Sequence, residues 1–253
     1  SRGLGDVYKR QAEEDAALCE ALGKPRLLVS GSAGLSLREH EHIQALTGRG
    51  VHERYGLTET LINCGVPASH APMPGYVGPP LPGVELKLVD EERNELDAHD
   101  DETIGEVAVR SAAVFCGYLN REEATAEVLD DDGWFYTGDL ATRTAQGAIR
   151  ILGRRSTDLI KTGGYRVGAG EIEACLLDHP SVREAAVAGL PDDDLGQRIE
   201  AFIVLRSGYE GDAQALVAFV AERLSAHKRP RAIHFLDELP RNAMGKVQKK
   251  RLY

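Results

Sequence analysis

The clearest hydrophobic pattern lies in the last third of the chain, where small and apolar residues recur at helical spacing. They are Ala213, Leu216, Val217, Val220, Ala221 and Leu224. Residues three and four positions apart share one face of an α-helix, so this segment predicts an amphipathic helix. A second helical pattern covers 171–177, and strand-like runs lie at 182–190, 200–206 and 231–236. Together these elements predict a compact α+β unit.

The pattern of apolar residues is different in the first half of the chain. Residues 26–30 predict a buried strand, residues 37–47 a helix and residues 51–55 a second strand. This order is typical of an α/β layer. Five of the 11 prolines lie between positions 72 and 82, which excludes a helix there.

Alternating apolar residues return at 84–89, 105–110 and 147–152 and predict a small antiparallel sheet or barrel. The spacing of apolar residues changes again near residue 154. We therefore expect an α/β part with a β-barrel-like subdomain from about residue 75 to 153, followed by a compact α+β domain. The boundary between the two is expected near residues 154–158, and residues 1–11 are expected to be a non-native lead.

Composition narrows the classes of function. The 253 residues carry 30 Lys and Arg against 40 Asp and Glu, a net charge of −10, which argues against nucleic acid as a partner. The longest apolar run, 215–221, is far too short for a membrane-spanning helix. The four cysteines are widely separated and form no CxxC pair, which predicts reduced thiols and a cytoplasmic location.

Standard phosphate-binding and zinc-protease motifs are absent from the sequence. It contains neither GxxxxGK[ST] nor GxGxxG, and the HEH string at 40–42 lacks the spacing of HExxH. Six other short segments carry the candidate chemistry. They are 30–34 (SGSAG), 54–60 (RYGLTET), 133–139 (GWFYTGD), 153–158 (GRRSTD), 161–173 (KTGGYRVGAGEIE) and 240–246 (PRNAMGK).

The order and spacing of these six segments resemble the C-terminal half of the adenylate-forming superfamily. That superfamily includes acyl-CoA synthetases, luciferases and peptide-synthetase adenylation domains. The resemblance covers residues 26–250, and the segments at 53–60, 160–173 and 240–247 are similar to those of malonyl-CoA synthetases in particular. The superfamily's Ser/Thr/Gly-rich loop for the β- and γ-phosphates has no match in this sequence.

The resemblance implies a site for ATP and Mg²⁺. The residue matching Tyr55 stacks on adenine, and the one matching Thr58 contacts the α-phosphate. Glu59 would bind Mg²⁺, and Asp139 would accept hydrogen bonds from the ribose hydroxyls. The rest of the implied nucleotide site consists of Gly31, Ser32, Ala33, Gly56 and Arg154. Plainer interpretations place Tyr55 in the core, Thr58 and Glu59 in a helix cap, and Asp139 in a turn.

The resemblance also implies that residues 12–153 are the C-terminal part of a larger domain, that 154–158 form a hinge and that 159–253 are a small, mobile α+β domain. It implies a reaction in two steps that this small domain serves with different faces. Lys246 matches the lysine that bridges the carboxylate substrate and the α-phosphate while the acyl-adenylate forms. Its neighbours Lys249 and Lys250 are interpreted as solvated surface charges, the usual role of a basic run.

The second step, transfer to coenzyme A, would use a glycine-containing loop of the small domain. Glycine has no Cβ, so a pantetheine arm would pass close to the backbone. The loop residues are Gly163, Gly164, Tyr165 and Arg166. The rotation between the two steps would pivot at Ser156, where the family often has Asp or Lys.

Arg54 points to the class of substrate. In the family, the residue before the adenine-stacking tyrosine faces the acyl pocket, and a buried guanidinium there needs an anionic partner. A second substrate carboxylate would supply one, so we expect a small dicarboxylic acid. The alternative partner is Glu53 or another protein acid.

The expected reaction converts malonate, ATP and CoA to malonyl-CoA, AMP and diphosphate, a step of fatty acid metabolism. Two alternatives stay open. One is an adenylation domain that loads a carrier protein, although Arg54 would repel the ammonium group of an amino acid. The other is a non-catalytic binding module that kept the fold.

Overall fold

The computed structural model describes residues 15–31, 34–35, 37–242 and 247–253, without the side chain of Thr157. The first helix, α1, covers Ala16–Gly23, and the carboxylate of Asp15 accepts hydrogen bonds from the amides of Ala17 and Leu18 at its N-terminus. Such a side-chain cap satisfies amides that have no partner inside the helix. The predicted α/β layer follows directly.

That layer is a three-stranded sheet of β1 (Leu28–Ser30), β2 (Val51–Leu57) and β3 (Leu61–Gly65), with helix α2 (Leu37–Thr47) between β1 and β2. Strand β1 is parallel to β2, and β3 is antiparallel to it. The predicted order of strand, helix and strand is confirmed. The parallel pairing ends at Ser30 opposite Glu53, so the later residues of β2 have no β1 neighbour.

The next four strands form an antiparallel sheet in chain order. They are β4 (Glu85–Val89), β5 (Gly105–Arg110), β6 (Phe135–Arg143) and β7 (Ile149–Arg154), with helix α3 (Glu122–Val128) before β6. In the described residues this sheet is open, with β4 and β7 at its edges, so of the two predicted forms it is the sheet and not a closed barrel. Leu88, Val107 and Ile149 pack against Tyr55 and Cys64 of the first sheet.

The remaining elements form the predicted α+β unit. They are α4 (Arg155–Asp158), β8 (Leu159–Thr162), β9 (Tyr165–Gly168), α5 (Ala169–Leu177), β10 (Val182–Asp192), β11 (Gly196–Leu205), α6 (Ala213–Ala221) and β12 (Ala232–Phe235), with 3₁₀ turns at Ala226–Lys228 and Lys249–Arg251. The five strands share one sheet. Ile172 and Leu176 of α5 and Leu216 and Val220 of α6 bury one face of it, which confirms the helical pattern read from the sequence.

The opposite face of this sheet is covered by the end of the chain. Leu239, Val247 and Leu252 pack on Phe202 and its neighbours in β10 and β11. None of the described helices is both long and apolar enough to cross a membrane. No disulfide joins any of the four cysteines, all of which lie within the described ranges.

Charged contacts connect the α+β unit to the rest of the chain. Arg155 Nη1 lies 2.7 Å from Glu106 Oε2, and Lys161 Nζ lies 2.6 Å from Glu91 Oε1. The Arg155 and Lys161 side chains are at least half exposed. Exposed ion pairs contribute little free energy, because water screens the charges and holding long side chains costs entropy.

Candidate active site

The carboxylate of Asp139 is the centre of the candidate site. It is only 6% exposed, and its Oδ2 accepts a hydrogen bond of 2.7 Å from the Tyr55 hydroxyl. Arg154 Nε lies 2.8 Å from its Oδ1, because Asp139 of β6 and Arg154 of β7 are paired across the two strands. Arg154 also donates to the carbonyl of Thr137 at 2.9 Å. Three of the residues predicted to contact the nucleotide therefore meet at one point.

Burial governs the electrostatics of this cluster. Desolvation raises the pKa of Asp139 above its ordinary value of 3.8, although the hydrogen bond from Tyr55 and the charge of Arg154 both act to lower it. Desolvation, together with the nearby Asp139 charge, also raises the pKa of Tyr55 far above its ordinary range. The tyrosine therefore stays protonated and acts as a hydrogen-bond donor.

Tyr55 belongs to the core, as the plainer interpretation suggested, since it is 8% exposed and packs with Cys64. Its hydroxyl also fixes the position of Asp139. Its stacking on adenine stays a prediction. The neighbouring Gly56 has a structural reason to be glycine. A Cβ at this position would lie 1.9 Å from the carbonyl oxygen of Leu61, where β2 and β3 approach each other closely.

Thr58 and Glu59 lie in the turn between β2 and β3, so they do not cap a helix as the plainer interpretation suggested. Thr58 is exposed. Glu59 Oε1 accepts a hydrogen bond of 3.0 Å from the Tyr118 hydroxyl, and its backbone carbonyl accepts one of 2.8 Å from Phe115. The charge of Arg154 acts on Tyr118 to lower its pKa, against the larger effect of burial, which raises it. The Tyr118 hydroxyl is therefore held beside the β2–β3 turn.

The structure corrects the expectation that Arg54 is buried. The residue is exposed, and its side chain lies over Gly31, where an added Cβ would be 3.1 Å from Arg54 Cγ and Nε. The suggested pair with Glu53 does not form. Glu53 points into the protein, where its carboxylate accepts from the amides of Leu35 (3.2 Å) and Gly75 (3.0 Å) and pairs with His40 Nε2 (2.9 Å). Within the described ranges, Arg54 has no carboxylate partner.

The predicted CoA loop is the tip of the β8–β9 hairpin. Gly163 and Gly164 form its two-residue turn with φ angles of +55° and +82°, a conformation that favours glycine in a tight hairpin. Turn geometry is therefore a sufficient reason for both glycines. Tyr165 stacks on His227 with ring centroids 4.1 Å apart, and Arg166 Nη2 lies 3.4 Å from Glu91.

A cavity of about 190 Å³ opens beside this hairpin. Its lining residues combine a flat aromatic surface with cationic groups. They are Thr162, Gly163, Tyr165, Leu195, Ile199, His227, Arg229 and Arg231. Such a lining suits a ligand that carries both a planar ring and anionic groups.

The other predicted positions are only partly covered. Ser156 is an exposed residue of α4, between β7 and β8. Ser32, Ala33 and Lys246 lie outside the described residues. The interpretation of Lys249 as a surface charge is wrong. Its side chain is 15% exposed and pairs with Asp158 and Glu173.

Several residues of the site carried no signal that the sequence analysis used. Their contacts are with residues distant in the chain, as for the hydrogen bond between Tyr118 and Glu59, which are 59 residues apart. The other two such residues are Glu53 and His227. The run 227–231 (HKRPR) was visible as a basic segment near a predicted strand. Only the fold places it beside the glycine hairpin.

Comparison with known proteins identifies two family models in the chain. Residues 5–119 match the model of the AMP-binding enzyme, and residues 171–246 match the model of the AMP-binding enzyme C-terminal domain. The two matches are consecutive and do not overlap. They leave unmatched the part of the chain that contains Asp139, Arg154 and the β8–β9 hairpin.

Curated relatives include the mitochondrial malonate–CoA ligase of Bos taurus, 39% identical over 253 residues that cover 93% of this chain and 43% of that protein. The malonate–CoA ligase of Arabidopsis thaliana is 38% identical and covers 98% and 41% of the two chains. The chain thus spans about two fifths of the length of these relatives. The cytoplasmic location expected from the cysteines stays a prediction, because the name of the bovine relative places it in mitochondria.

Two solved structures differ in how well they superimpose. ATP-bound MatB from Rhodopseudomonas palustris is 36% identical, covers 98% of this chain and 52% of its own, and gives a TM-score of 0.81. A malonyl-CoA ligase ternary product complex with methylmalonyl-CoA and AMP is 52% identical and covers 92% and 50%, yet its TM-score is 0.55. The relative with the higher identity is therefore the less similar in overall shape.

The buried Asp139 cluster makes a prediction about stability. The pKa of Asp139 is raised on folding, so the folded state binds more protons than the unfolded state just above pH 3.8. The free energy of unfolding should therefore fall as the pH rises through that range. Tyr55→Phe removes a donor that lowers this pKa, so the fall should extend to higher pH, with a loss of about 1 kcal/mol for the hydrogen bond itself.

Urea denaturation at a series of pH values measures this effect. Tyr76→Phe is the matched control, since it removes a Tyr–Asp hydrogen bond of the same 2.7 Å length at Asp101. In an Asp139→Asn background the pH-dependent part of the Tyr55→Phe effect should vanish. An unchanged pH dependence in that background would show that another group is responsible.

Proposed function

Because this chain belongs to the AMP-binding enzyme family, we propose that it forms the C-terminal part of an ATP- and Mg²⁺-dependent acid–CoA ligase. The observation that carries the proposal is the convergence of Tyr55, Asp139 and Arg154 at one buried carboxylate. The first half-reaction joins the acid to AMP, and the second transfers the acyl group to coenzyme A. Residues 12–153 would belong to the larger domain, 154–158 to the hinge and 159–253 to the small domain.

In the first half-reaction the nucleotide would lie against the end of β2. Tyr55 would offer its ring to adenine, and the Asp139 carboxylate would accept hydrogen bonds from the ribose hydroxyls. Arg154, whose side chain is 50% exposed, is available to the ribose on the solvent side of Asp139. The exposed Thr58 has its hydroxyl in reach of solvent and so of an α-phosphate.

Glu59 is the proposed Mg²⁺ ligand. In the described ranges no group of three or more His, Cys, Asp and Glu side chains is arranged to hold a metal ion. This fits Mg²⁺, which is usually bound in nucleotide sites by one or two carboxylates together with phosphate oxygens and water. The hydrogen bond from Tyr118 uses only Oε1 of Glu59. The bound ion would neutralise phosphate charge.

Malonate is the proposed acid. The exposed Arg54 has no carboxylate partner among the described residues, so its guanidinium is available to bind an anion. One carboxylate of a dicarboxylic acid would react, and the second would pair with Arg54 in a bidentate manner. The malonate–CoA ligases among the relatives support this choice.

The cavity beside the β8–β9 hairpin supports coenzyme A as the second substrate. The pantetheine arm would run along the backbone of Gly163 and Gly164. Arg229 and Arg231 would face the phosphate groups, and the Tyr165–His227 stack would offer a surface to the adenine ring. This assignment uses cations that the first half-reaction does not need.

The superpositions support a change of arrangement between the two half-reactions. A relative with 52% identity is expected to share the fold closely, so a TM-score of 0.55 is best explained by a different placement of one part relative to another. This chain has the overall shape of the ATP-bound relative, at 0.81. The exposed Lys161–Glu91 pair would hold that shape only weakly, whereas rotation at Ser156 would also have to break the pair between Arg155 and the buried Glu106.

The proposed function is tested with the full-length protein, ATP, Mg²⁺, CoA and a panel of mono- and dicarboxylic acids, with the products identified by mass spectrometry. Malonyl-CoA, AMP and diphosphate are the expected products. Acyl-adenylate that reacts only with a carrier protein would favour the carrier-loading alternative. Nucleotide binding without any acyl-adenylate, for every acid in the panel, would favour a non-catalytic module.

Lys246→Ala in the full-length protein should slow adenylation by about 10²-fold or more, the scale for removing one preorganised electrostatic group. Pyrophosphate exchange measures this step. Thioester formation from supplied malonyl-adenylate should be unaffected, because the lysine is needed only while the acyl phosphate bond forms. Lys250→Ala, at an exposed position four residues away, is the control. Equal slowing of both steps by Lys246→Ala would contradict the separate use of two faces.

Arg54→Ala should change selectivity more than turnover. Its kcat/KM should fall strongly for malonate and little for propanoate, since only malonate has a second carboxylate to lose. Arg54→Lys keeps the positive charge but lacks the planar guanidinium that binds a carboxylate through two hydrogen bonds. Compared with Arg54→Ala, it should therefore restore part of the malonate preference. A malonate preference that survives Arg54→Ala would move the acid-binding contact to another residue.

Gly164→Asn should slow thioester formation while pyrophosphate exchange is unchanged, because its side chain would obstruct the pantetheine route. Asn tolerates a positive φ better than other side chains, so the hairpin should persist. Gly208→Asn is the matched control, with a φ of +85° against +82° and no atom near the added Cβ at either position. If the two variants behaved alike, backbone strain would explain the effect.

A further inference from the structure

The end of the chain contains a buried cation with two carboxylate partners. Lys249 Nζ pairs with Asp158 Oδ1 and lies 2.7 Å from Glu173 Oε1. The three side chains are 15–16% exposed. Burial alone would lower the pKa of Lys249, but the charges of Glu173 and Asp158 outweigh that effect and hold it above the ordinary lysine value. Lys249 is therefore charged, and it is unlike the exposed Lys250 beside it.

The two carboxylates belong to different elements and are themselves held in place. Asp158 ends α4 in the proposed hinge, and its Oδ2 accepts a hydrogen bond of 2.7 Å from the backbone amide of Arg154. Glu173 lies on α5, and its Oε1 accepts one of 2.8 Å from Val187 of β10. The Lys249 ammonium thus joins the chain end to the hinge and to the small-domain core.

The same chain end closes the loop that contains Lys246. Arg241 and Val247 form an antiparallel bridge, and the amide of Gln248 donates to the carbonyl of Pro240 at 2.7 Å. Val247 also packs on the small-domain sheet. In the sequence, Lys246 directly precedes the bridged Val247 and comes three residues before Lys249.

A continuous set of contacts therefore runs from this loop to the candidate active site. Lys249 holds Asp158, Asp158 holds the backbone of Arg154, and Arg154 pairs with Asp139. We infer that Lys249 is a positioning residue, whose pairs with Asp158 and Glu173 fix the loop of Lys246 relative to the hinge for the adenylation step. The catalytic part of this inference rests on the proposed function of Lys246.

The test uses Lys249→Met and Lys249→Arg in the full-length protein, with Lys250→Met as the control. Hydrogen exchange of the amides of residues 241–242 and 247–253 reports how firmly these segments are held, whether or not the protein is a ligase. Lys249→Met should speed this exchange and slow pyrophosphate exchange by about 10- to 100-fold, since a displacement of about 1 Å can cost 10²-fold in rate. Thioester formation from supplied malonyl-adenylate should be unchanged. Lys249→Arg should restore adenylation, and Lys250→Met should resemble the wild type.

A purely structural role gives different results. In that case Lys249→Met would slow both half-reactions equally and lower the melting temperature. Either this result, or hydrogen exchange that is unchanged in Lys249→Met, overturns the inference. Lys249→Met leaves two buried carboxylates unpaired and so endangers folding. The triple variant Asp158→Asn, Glu173→Gln, Lys249→Met avoids those charges and should show the same selective loss. If the wild-type protein forms no acyl-adenylate with any acid, the proposed function fails. Faster hydrogen exchange in Lys249→Met would still support the positioning role of the Lys249 pairs with Asp158 and Glu173.

Discussion

The pairing of Asp139 with Arg154 is the interaction on which the arrangement of the site depends. Asp139 is buried where strands of two sheets meet, and Tyr55 satisfies its second oxygen from the first sheet. A buried carboxylate without partners would be costly, so these contacts hold the two sheets in one relative position. Arg154 is also the last residue of β7 before α4. The residue that completes the candidate nucleotide site is therefore also the start of the proposed hinge.

The ion pairs within the α+β unit differ in burial from those that connect this unit to the rest of the chain. Within the α+β unit, Lys249 is held by two carboxylates out of the solvent. Between that unit and the rest of the chain, Lys161 and Arg166 share the exposed Glu91. Buried pairs are costly to break singly, whereas exposed pairs exchange readily with water. In the proposed function, the buried pairs would keep residues 247–253 fixed to the small domain while its exposed contacts with the larger domain change. The pair between Arg155 and the buried Glu106 would have to break in that change.

The sequence predicted those features that depend on local pattern. The period of Leu216 and Val220 is enough to place α6, since a helix face repeats within a few residues. Arg54 and Lys249 were mispredicted because their surroundings depend on distant residues. Burial in β2 does not alternate: Glu53 is buried next to the buried His52, and amides 18 and 22 residues away donate to its carboxylate. Lys249 looks like part of a solvated run until Asp158, 91 residues away, lies against it.

The geometry of β2 explains why one short motif can serve both ends of an acyl-adenylate. Successive side chains of a strand point to opposite faces, so Tyr55 turns inward to Asp139 and Arg54 turns outward over Gly31. The parallel pairing of β1 and β2 ends one residue earlier, at Glu53, and ligands of open α/β sheets bind at the carboxyl ends of such strands. In the proposed reaction, an acyl-adenylate at this edge would reach the Tyr55 side with its nucleotide and the Arg54 side with its acid. Gly56, which follows, lets β2 and β3 approach closely beyond this edge.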